Sequence, residues 1–193
     1  MNDSPGSMNS MHERMFPIAP FGVRLGTRLE GKAAREQLLG LLDELPQPGR
    51  VVVSLEGVEV LSGSFADEAI AIPYSRLASG EYGDRYLVLR APSLEITDDL
   101  AHKLERRRLA MICLTDDGWE VVGFLAPAMR EALALVVKRG ETTPKELAEA
   151  LNIRHNACLH RVGRLAELRL IRREEVGLAG PHPSYRLFSI LSP

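Results

Sequence analysis

The chain has 193 residues, of which 45% are hydrophobic and 26% are charged, with a formal net charge of −2 and a mean hydropathy of −0.07. This composition excludes a fibrous or wholly disordered protein, and the length is enough for one large domain or two small ones. Because no run approaches the roughly 20 apolar residues of a membrane helix and the N-terminus lacks the apolar core of a signal peptide, we expect a cytoplasmic protein with no membrane partner.

The first predicted elements follow a segment without periodicity. Residues 1–16 are rich in Ser, Asn, Gly and Met, and we expect them to be disordered. After a short strand candidate at 20–26, Thr27 and Glu30 form a capping box that predicts the start of a helix. This helix is predicted to end before Pro46 and to carry one leucine-rich face.

Strands and helices then alternate up to residue 126. Residues 50–61 are apolar almost throughout and predict one buried strand with a bend at Gly57. Ser64 is predicted to cap the next helix by accepting a hydrogen bond from the Asp67 N–H. The remaining predicted elements are a strand at 84–90, a helix beginning at Thr97 or Asp98, and two strands around a turn at Asp117-Gly118. This order predicts an α/β domain at 17–126.

The segments "FGVRLGTRLEG" and "RVVVSLEGVEVLSGSFADEAIA" resemble the STAS-like domains, relatives of the anti-sigma-factor antagonists. The resemblance implies an α/β sandwich that binds proteins and catalyses no reaction, with a histidine-kinase-like ATPase as a possible partner. It also implies that a serine at the strand-to-helix hinge is a phosphorylation switch, for which Ser62 and Ser64 are the candidates. A helix N-terminus favours phosphate, but Asp67 and Glu68 are expected to oppose it.

Other motifs are too incomplete to indicate catalysis or a cofactor. The sequence "GTRLEGKA" has the spacing of a phosphate-binding loop, but Ala33 stands where Ser or Thr would bind magnesium. The serines of the hinge lack the flanking glycines of a hydrolase elbow. His155, Cys158 and His160 suggest a metal site, yet the helical spacing places Cys158 in the core. We therefore expect a non-enzymatic protein without metal or cofactor.

The C-terminal third is basic, whereas the rest of the chain is acidic. Residues 1–126 carry 13 Lys and Arg against 19 Asp and Glu, and residues 127–193 carry 11 against 7. In this second part the sequence predicts a helix ending at Gly140, a helix capped by Thr143 and Glu146, a third helix at about 155–169, and a β-hairpin. A basic module attached to an acidic one indicates nucleic-acid binding.

The segments "TTPKELAEALNI", "RVGRLAELRLIRRE" and "YRLF" resemble the winged helix-turn-helix domain of bacterial transcription regulators. The resemblance covers about 128–191, and the corresponding domain is assigned to 127–193. It implies that the third helix enters the major groove of double-stranded DNA and that the hairpin forms a wing. Such sequences usually have Gly where this chain has Arg169, so we expect the exit from the third helix to differ.

Base-reading and phosphate-binding roles follow from side-chain chemistry. Arg bonds guanine bidentately and Asn bonds adenine, so Arg161 and Asn156 are predicted to read bases from the helix face opposite the apolar stripe. Basic residues around them and on the wing are predicted to contact phosphates or the minor groove. The predicted DNA-contacting residues are Lys145, Arg154, His155, Asn156, His160, Arg161, Arg164, Arg172, Arg173, His182 and Arg186.

The sequence thus predicts a DNA-binding transcriptional regulator whose first domain supplies dimerisation or partner contact. Two-fold DNA sites need a dimer, which the leucine-rich face of the 27–45 helix or an uncovered sheet edge could form. One alternative is a partner-switching adaptor that binds a kinase or another protein; another is an architectural protein that binds DNA without sequence preference. The short apolar linker "GFLAPAM" predicts that the two domains pack together.

Overall fold

The computed structural model describes residues 11–179 and 182–192, and only the backbone of residues 178, 179, 182 and 183. The protein is a mixed α/β structure with one five-stranded sheet, one three-stranded sheet and one two-stranded sheet. The strands up to residue 126 are β1 His12–Pro17, β2 Arg24–Leu25, β3 Gly49–Ser54, β4 Val60–Leu61, β5 Arg85–Arg90, β6 Ala110–Thr115 and β7 Gly118–Gly123. The helices of this part are α1 Arg28–Glu44, α2 Gly63–Ala66, α3 Ile72–Ala78 and α4 Asp98–Arg106.

The large sheet has the order β1-β3-β5-β6-β7, in which the first four strands are parallel and β7 is antiparallel. The prediction of disorder at 1–16 is wrong where β1 forms, because His12–Pro17 pairs with β3 in unbroken register from Gly49 to Ser54. This pairing consists of backbone hydrogen bonds between segments far apart in sequence. The composition of residues 1–16 alone therefore gives no sign of it. Residues 1–10 lie outside the described residues.

Helix α1 begins as predicted. Thr27 accepts a hydrogen bond from the Glu30 N–H, and the Glu30 carboxylate accepts one from the Thr27 N–H. The leucine-rich face, however, is covered within its own domain, since Leu38, Leu42 and Leu45 are buried. Leu41, the fourth leucine of this face, is only partly buried, and dimerisation through this face stays a prediction.

The predicted strand at 50–61 is divided into two. After β3 the chain turns at Gly57, whose φ of 78° lies in the left-handed region that favours glycine. It then forms β4, which leaves the large sheet and pairs in parallel with β2. The turn between β6 and β7 also differs by one residue from the prediction, because Thr115 pairs with Gly118 and the loop is Asp116-Asp117.

The hinge after β4 leads into a continuous but irregular helix. Helix α2 passes into a π-helical turn at Asp67–Ala71 and then into α3. The π-helical turn packs closely on α1, where a methyl group at Gly31 would lie 2.8 Å from the Glu68 Cβ. Gly31 is thus a packing residue inside a helix, and the segment "GTRLEGKA" is not a phosphate-binding loop.

The C-terminal module consists of three helices and a three-stranded sheet with the order β8-β10-β9. Gly140 ends the first helix with a φ of 74°, as predicted, and Thr143 and Glu146 form the predicted capping box. The buried stripe Cys158, Val162 and Leu165 is also confirmed. The elements are α5 Pro127–Arg139, β8 Glu141–Thr142, α6 Pro144–Ala150, α7 His155–Glu167, β9 Ile171–Ala179 and β10 His182–Ser189.

The C-terminal module packs against the amino-terminal ends of the parallel strands, which confirms the packing predicted from the linker. Arg50, at the start of β3, donates to the Ile190 carbonyl oxygen. Arg172 lies 3.1 Å from Asp84, the residue before β5. The hinge at 62–64 lies beyond the opposite, carboxyl ends of the strands, so the two predicted sites are at opposite ends of the sheet.

A second set of contacts fixes the corner between α7 and β9. Arg169 has a φ of 58°, a left-handed conformation that favours glycine. Its guanidinium donates to the Leu77 carbonyl oxygen at 3.0 Å, so the side chain has a role that glycine could not fill. The Tyr74 hydroxyl lies within bonding distance of the Ala110 and Leu168 carbonyl oxygens, and its single proton serves one of them at a time.

Candidate nucleic-acid interface

A groove of about 1270 Å³ opens between α6, the first turns of α7 and β10. Four of the predicted DNA-contacting residues line it together. They are Lys145, Arg154, His155 and Asn156. Each of these side chains is exposed, so all four are accessible to a ligand in the groove.

The groove also contains residues that the sequence prediction missed. Leu159 and Tyr185 line it, and Leu159 is 37% exposed although it is apolar. The sequence does indicate that Leu159 is exposed, because this apolar residue falls outside the buried stripe of Cys158, Val162 and Leu165. No local signal identifies Tyr185, which reaches the groove only because β10 lies beside the helices.

Arg161 is not placed to read bases. Its guanidinium donates to the Ala128 carbonyl oxygen at 3.1 Å and lies 3.6 Å from the Glu131 carboxylate, and the side chain is 21% exposed. The reason is helical geometry, since Arg161 is three residues after Cys158 and four before Leu165 and so borders the buried stripe. The prediction that Arg161 faces outward is wrong.

Arg164 is also engaged within the protein. It donates to the Arg108 carbonyl oxygen at 3.1 Å and pairs with Glu167 at 3.2 Å. Both acceptors lie away from the groove lining. The structure therefore makes Arg164 a contact between the two modules, where the sequence predicted a phosphate contact.

The predicted wing residues differ in their burial and in their contacts within the protein. Arg172 is 8% exposed and bonds Asp84 and Glu174, so its burial contradicts a role in contacting DNA. Arg173 is exposed and lies over the Tyr185 ring at 4.7 Å, while Arg186 pairs with Glu141 at 3.1 Å. The side chain of His182 lies outside the described residues.

The two helices that border the groove begin differently. The Glu146 carboxylate accepts hydrogen bonds from Thr143 and Thr142, which hold its pKa below the ordinary value. At the start of α7, Arg154 occupies the N-cap position and its side chain makes no capping bond. The first N–H groups of α7 therefore receive no capping bond from Arg154 and carry the partial positive charge of a helix N-terminus.

His155, Cys158 and His160 do not form a metal site. Cys158 is buried beneath α7, and this burial raises the pKa of its thiol, which disfavours the thiolate that binds metals. His155 and His160 are exposed on the outside of the helix. Within the described residues, no group of three or more His, Cys, Asp or Glu side chains could hold a metal ion.

At the hinge, Ser62 rather than Ser64 caps the helix. The Ser62 hydroxyl accepts from the Phe65 N–H at 3.3 Å and donates to the Gly26 carbonyl oxygen at 2.8 Å. The Asp99 carboxylate accepts from the Gly63 N–H at 2.8 Å. Ser64, two residues further along, is exposed, so the prediction that it caps the helix is wrong by two residues.

The acids that follow the hinge are buried and neutralised. Asp67 lies 2.7 Å from Arg107, and Glu68 pairs with Arg35 and, at 3.4 Å, with Arg28. The Asp67 Oδ1 accepts no aligned hydrogen bond from Arg107, so this contact is an ion pair alone. Because three guanidinium groups pair with these two carboxylates, we expect them to repel a phosphate at the hinge less than unpaired acids would.

The chain matches no protein-family model and no curated protein sequence at a significant level. Among the helices that the structure describes, none is long and apolar enough to cross a membrane.

Proposed function

We propose that the chain is a DNA-binding transcriptional regulator in which α7 enters the major groove of double-stranded DNA. The observation that carries this proposal is the outward surface of the first two turns of α7. It presents His155, Asn156, Leu159 and His160, and no acidic residue lies between 155 and 163. An α-helix with exposed amide and basic side chains matches the width and the bonding groups of the major groove.

The arrangement of elements supports the same proposal. The order helix, strand, helix, helix, strand, strand, from α5 to β10, is that of a winged helix-turn-helix. In such a domain the second and third helices and the hairpin border one concave surface, and here the groove lies between α6, α7 and β10. The basic residue Arg173 is exposed near the base of this hairpin.

Lys145 and Arg154 are the proposed phosphate contacts. Both are exposed at the edge of the groove, and Arg154 stands at the N-terminus of α7, where backbone N–H groups and the helix dipole favour an anion. Arg161, Arg164 and Arg172 are assigned to holding the protein together. The DNA surface therefore has fewer cations than the composition of the module suggests.

For the first domain we propose a STAS-like role in partner binding. An exposed apolar surface beside the hinge favours it: the Val60 N–H donates to the Val23 carbonyl oxygen, and both side chains are exposed. Leu94, also exposed, precedes the short turn that packs beside β4. This surface makes a partner-switching adaptor, with a histidine-kinase-like ATPase as partner, the second candidate function.

We place dimerisation on the edge of β1 that no other described strand covers. The His12 and Ile18 N–H groups donate toward β3, so by strand alternation the Glu13 and Met15 N–H groups point to the open edge. Met15→Pro removes one outward donor and leaves the bonds to β3 in place. Light scattering is expected to find a wild-type dimer and a monomeric variant of similar melting temperature. A monomeric wild-type protein would contradict this placement.

The test of DNA binding is fluorescence anisotropy with a random-sequence duplex over a salt series. Each phosphate contact contributes a slope of roughly −0.9 to a plot of log affinity against log salt. The double variant K145A/R154A is therefore expected to reduce the magnitude of the slope by about 2. The matched control R161A/R164A removes the same charge and is expected to leave the slope nearly unchanged.

Three results would contradict the proposal. They are an absence of binding at low salt, an unchanged slope in K145A/R154A, and a larger loss of slope in R161A/R164A. If the wild-type chain fails to bind duplex but captures a protein from nuclease-treated host lysate, the adaptor function is favoured. A lysate comparison with and without nuclease separates direct partners from those that DNA bridges.

A further inference from the structure

The centre of the groove-facing surface of α7 combines one amide with one apolar side chain. Asn156 and Leu159 are three residues apart, so they lie one turn apart on the same side of the helix. Both line the groove and both are exposed. Leu159 is not needed in the core, because the buried side of α7 is formed by Cys158, Val162 and Leu165.

These two side chains match the two major-groove features of an A·T pair. The Asn amide can bond adenine N6 and N7 together, and an apolar side chain contacts the thymine methyl group. Guanine, in contrast, is most often read by an Arg or Lys side chain that bonds its O6 and N7 together. The two arginines of α7, Arg161 and Arg164, donate to the Ala128 and Arg108 carbonyl oxygens.

Space for a close approach continues along the same side of the helix. Gly163 follows Leu159 by one turn, and a methyl group there would meet no atom within 4 Å. Glycine in the middle of a helix is less stable than alanine, and nothing packed against Gly163 requires its small size. A DNA backbone or base edge can therefore come close to α7 beyond Leu159.

We propose that α7 reads a duplex step containing A·T, with Asn156 bonding adenine and Leu159 contacting the thymine methyl group of the same or the adjacent base pair. This inference rests on the proposed DNA-binding function and adds the chemical class of the site that is read. It makes Asn156 and Leu159 the specificity-determining residues, in place of Arg161.

The experiment begins by selecting the preferred duplexes of the full chain from a random-sequence library. In the selected duplex, each thymine is replaced in turn by uracil, which lacks the methyl group, and each adenine by 7-deazaadenine, which lacks N7. One uracil replacement is expected to weaken wild-type binding by about 3- to 4-fold, the effect of one buried methyl group. One 7-deazaadenine replacement is expected to weaken it by about 10-fold.

The variants Leu159→Ala and Asn156→Ala assign each effect to one side chain. The uracil effect is expected to vanish in Leu159→Ala and to persist in Asn156→Ala, and the 7-deazaadenine effect is expected to do the reverse. Lys145→Ala is the control, because loss of a phosphate contact should weaken all duplexes alike. Circular dichroism confirms that the three variants are folded.

The inference and the proposed function fail in different ways. Binding to random duplex without a preferred sequence would overturn the A·T reading and leave an architectural DNA-binding protein. A guanine-dependent site, or a uracil effect that persists in Leu159→Ala, would overturn it as well. If the wild-type chain binds no duplex under any salt condition, both the inference and the proposed function are wrong.

Discussion

The Arg164 guanidinium donates to the Arg108 carbonyl oxygen at 3.1 Å and so ties α7 to the residue two positions before β6. Arg108 itself has a φ of 56°, which lies in the left-handed region. A contact of this kind fixes the position of α7 relative to the large sheet. The helix that we propose to read DNA is therefore held by the domain that we propose to bind a partner.

We expect Arg164→Ala to lower the free energy of unfolding by about 1 kcal/mol, because a hydrogen bond of a partly exposed charged group to a carbonyl oxygen is lost. Urea denaturation measures this change. Arg154→Ala removes an exposed charge of the same type whose side chain makes no capping bond, and it is the control, with an expected change within about 0.5 kcal/mol. Equal effects in the two variants would contradict the structural role of Arg164.

The hinge serines are expected to differ in their effect on stability. Ser62→Ala removes the N-cap of α2 and the bond to the Gly26 carbonyl oxygen, and we expect a loss of about 1 kcal/mol. Ser64→Ala removes an exposed hydroxyl and is expected to change stability by less than about 0.5 kcal/mol. Thermal denaturation of both variants provides the measurement, and the reverse order would indicate that Ser64 is the cap.

The same contrast bears on phosphorylation. The exposed Ser64 is accessible to a kinase, whereas the Ser62 hydroxyl is occupied by two hydrogen bonds. We therefore expect mass spectrometry of protein from its own host to find any hinge phosphate on Ser64. Phosphate found on Ser62 alone would contradict this expectation, because modification there would break the cap.

Two glycines of α1, Gly31 and Gly40, provide a test of packing in the first domain and its matched control. A methyl group at Gly31 would lie 2.8 Å from the Glu68 Cβ and 3.1 Å from the Phe65 carbonyl oxygen, whereas one at Gly40 meets no atom within 4 Å. We expect Gly31→Ala to destabilise the protein by about 1–3 kcal/mol and Gly40→Ala to stabilise it by about 0.5–1 kcal/mol. Chemical denaturation of the two variants decides the matter, and a neutral Gly31→Ala would contradict the close contact between α1 and the π-helical turn.

Features that depend on residues close in sequence were predictable. The capping boxes Thr27 with Glu30 and Thr143 with Glu146 each span three residues. The residue types at these positions are therefore enough to predict the hydrogen bonds at the helix start. The apolar stripe of α7 was predictable for the same reason. Arg161 was assigned to the wrong side although its spacing from Cys158 already places it beside that stripe.

Features that depend on distant partners were not predictable. Arg172 is buried because it meets Asp84, 88 residues earlier in the chain, and β1 forms because β3 pairs with it. From the sequence alone, Arg172 cannot be distinguished from an exposed basic residue of a wing. The DNA surface inferred from composition was accordingly too large, since composition counts charges but does not reveal which of them bond within the protein.

The capping box of α6 makes stability depend on pH. Hydrogen bonds from Thr143 and Thr142 hold the pKa of Glu146 below its ordinary value of 4.5, so the folded state favours the carboxylate more than the unfolded state does. The stabilisation is therefore complete above about pH 4.5 and is lost as pH falls through the lower pKa of the folded state. Glu30, bonded to Thr27, behaves in the same direction.

The variant Glu146→Gln isolates this contribution, because glutamine keeps the acceptor oxygen of the capping box and lacks the titrating group. We expect the difference in free energy of unfolding between wild type and Glu146→Gln to be constant above about pH 5 and to shrink as the solution is acidified below the ordinary pKa. Urea denaturation from pH 7 to pH 3 measures it. Since glutamine is uncharged at every pH, a difference that stays constant down to pH 3 would show that the Glu146 carboxylate is not stabilised by the cap.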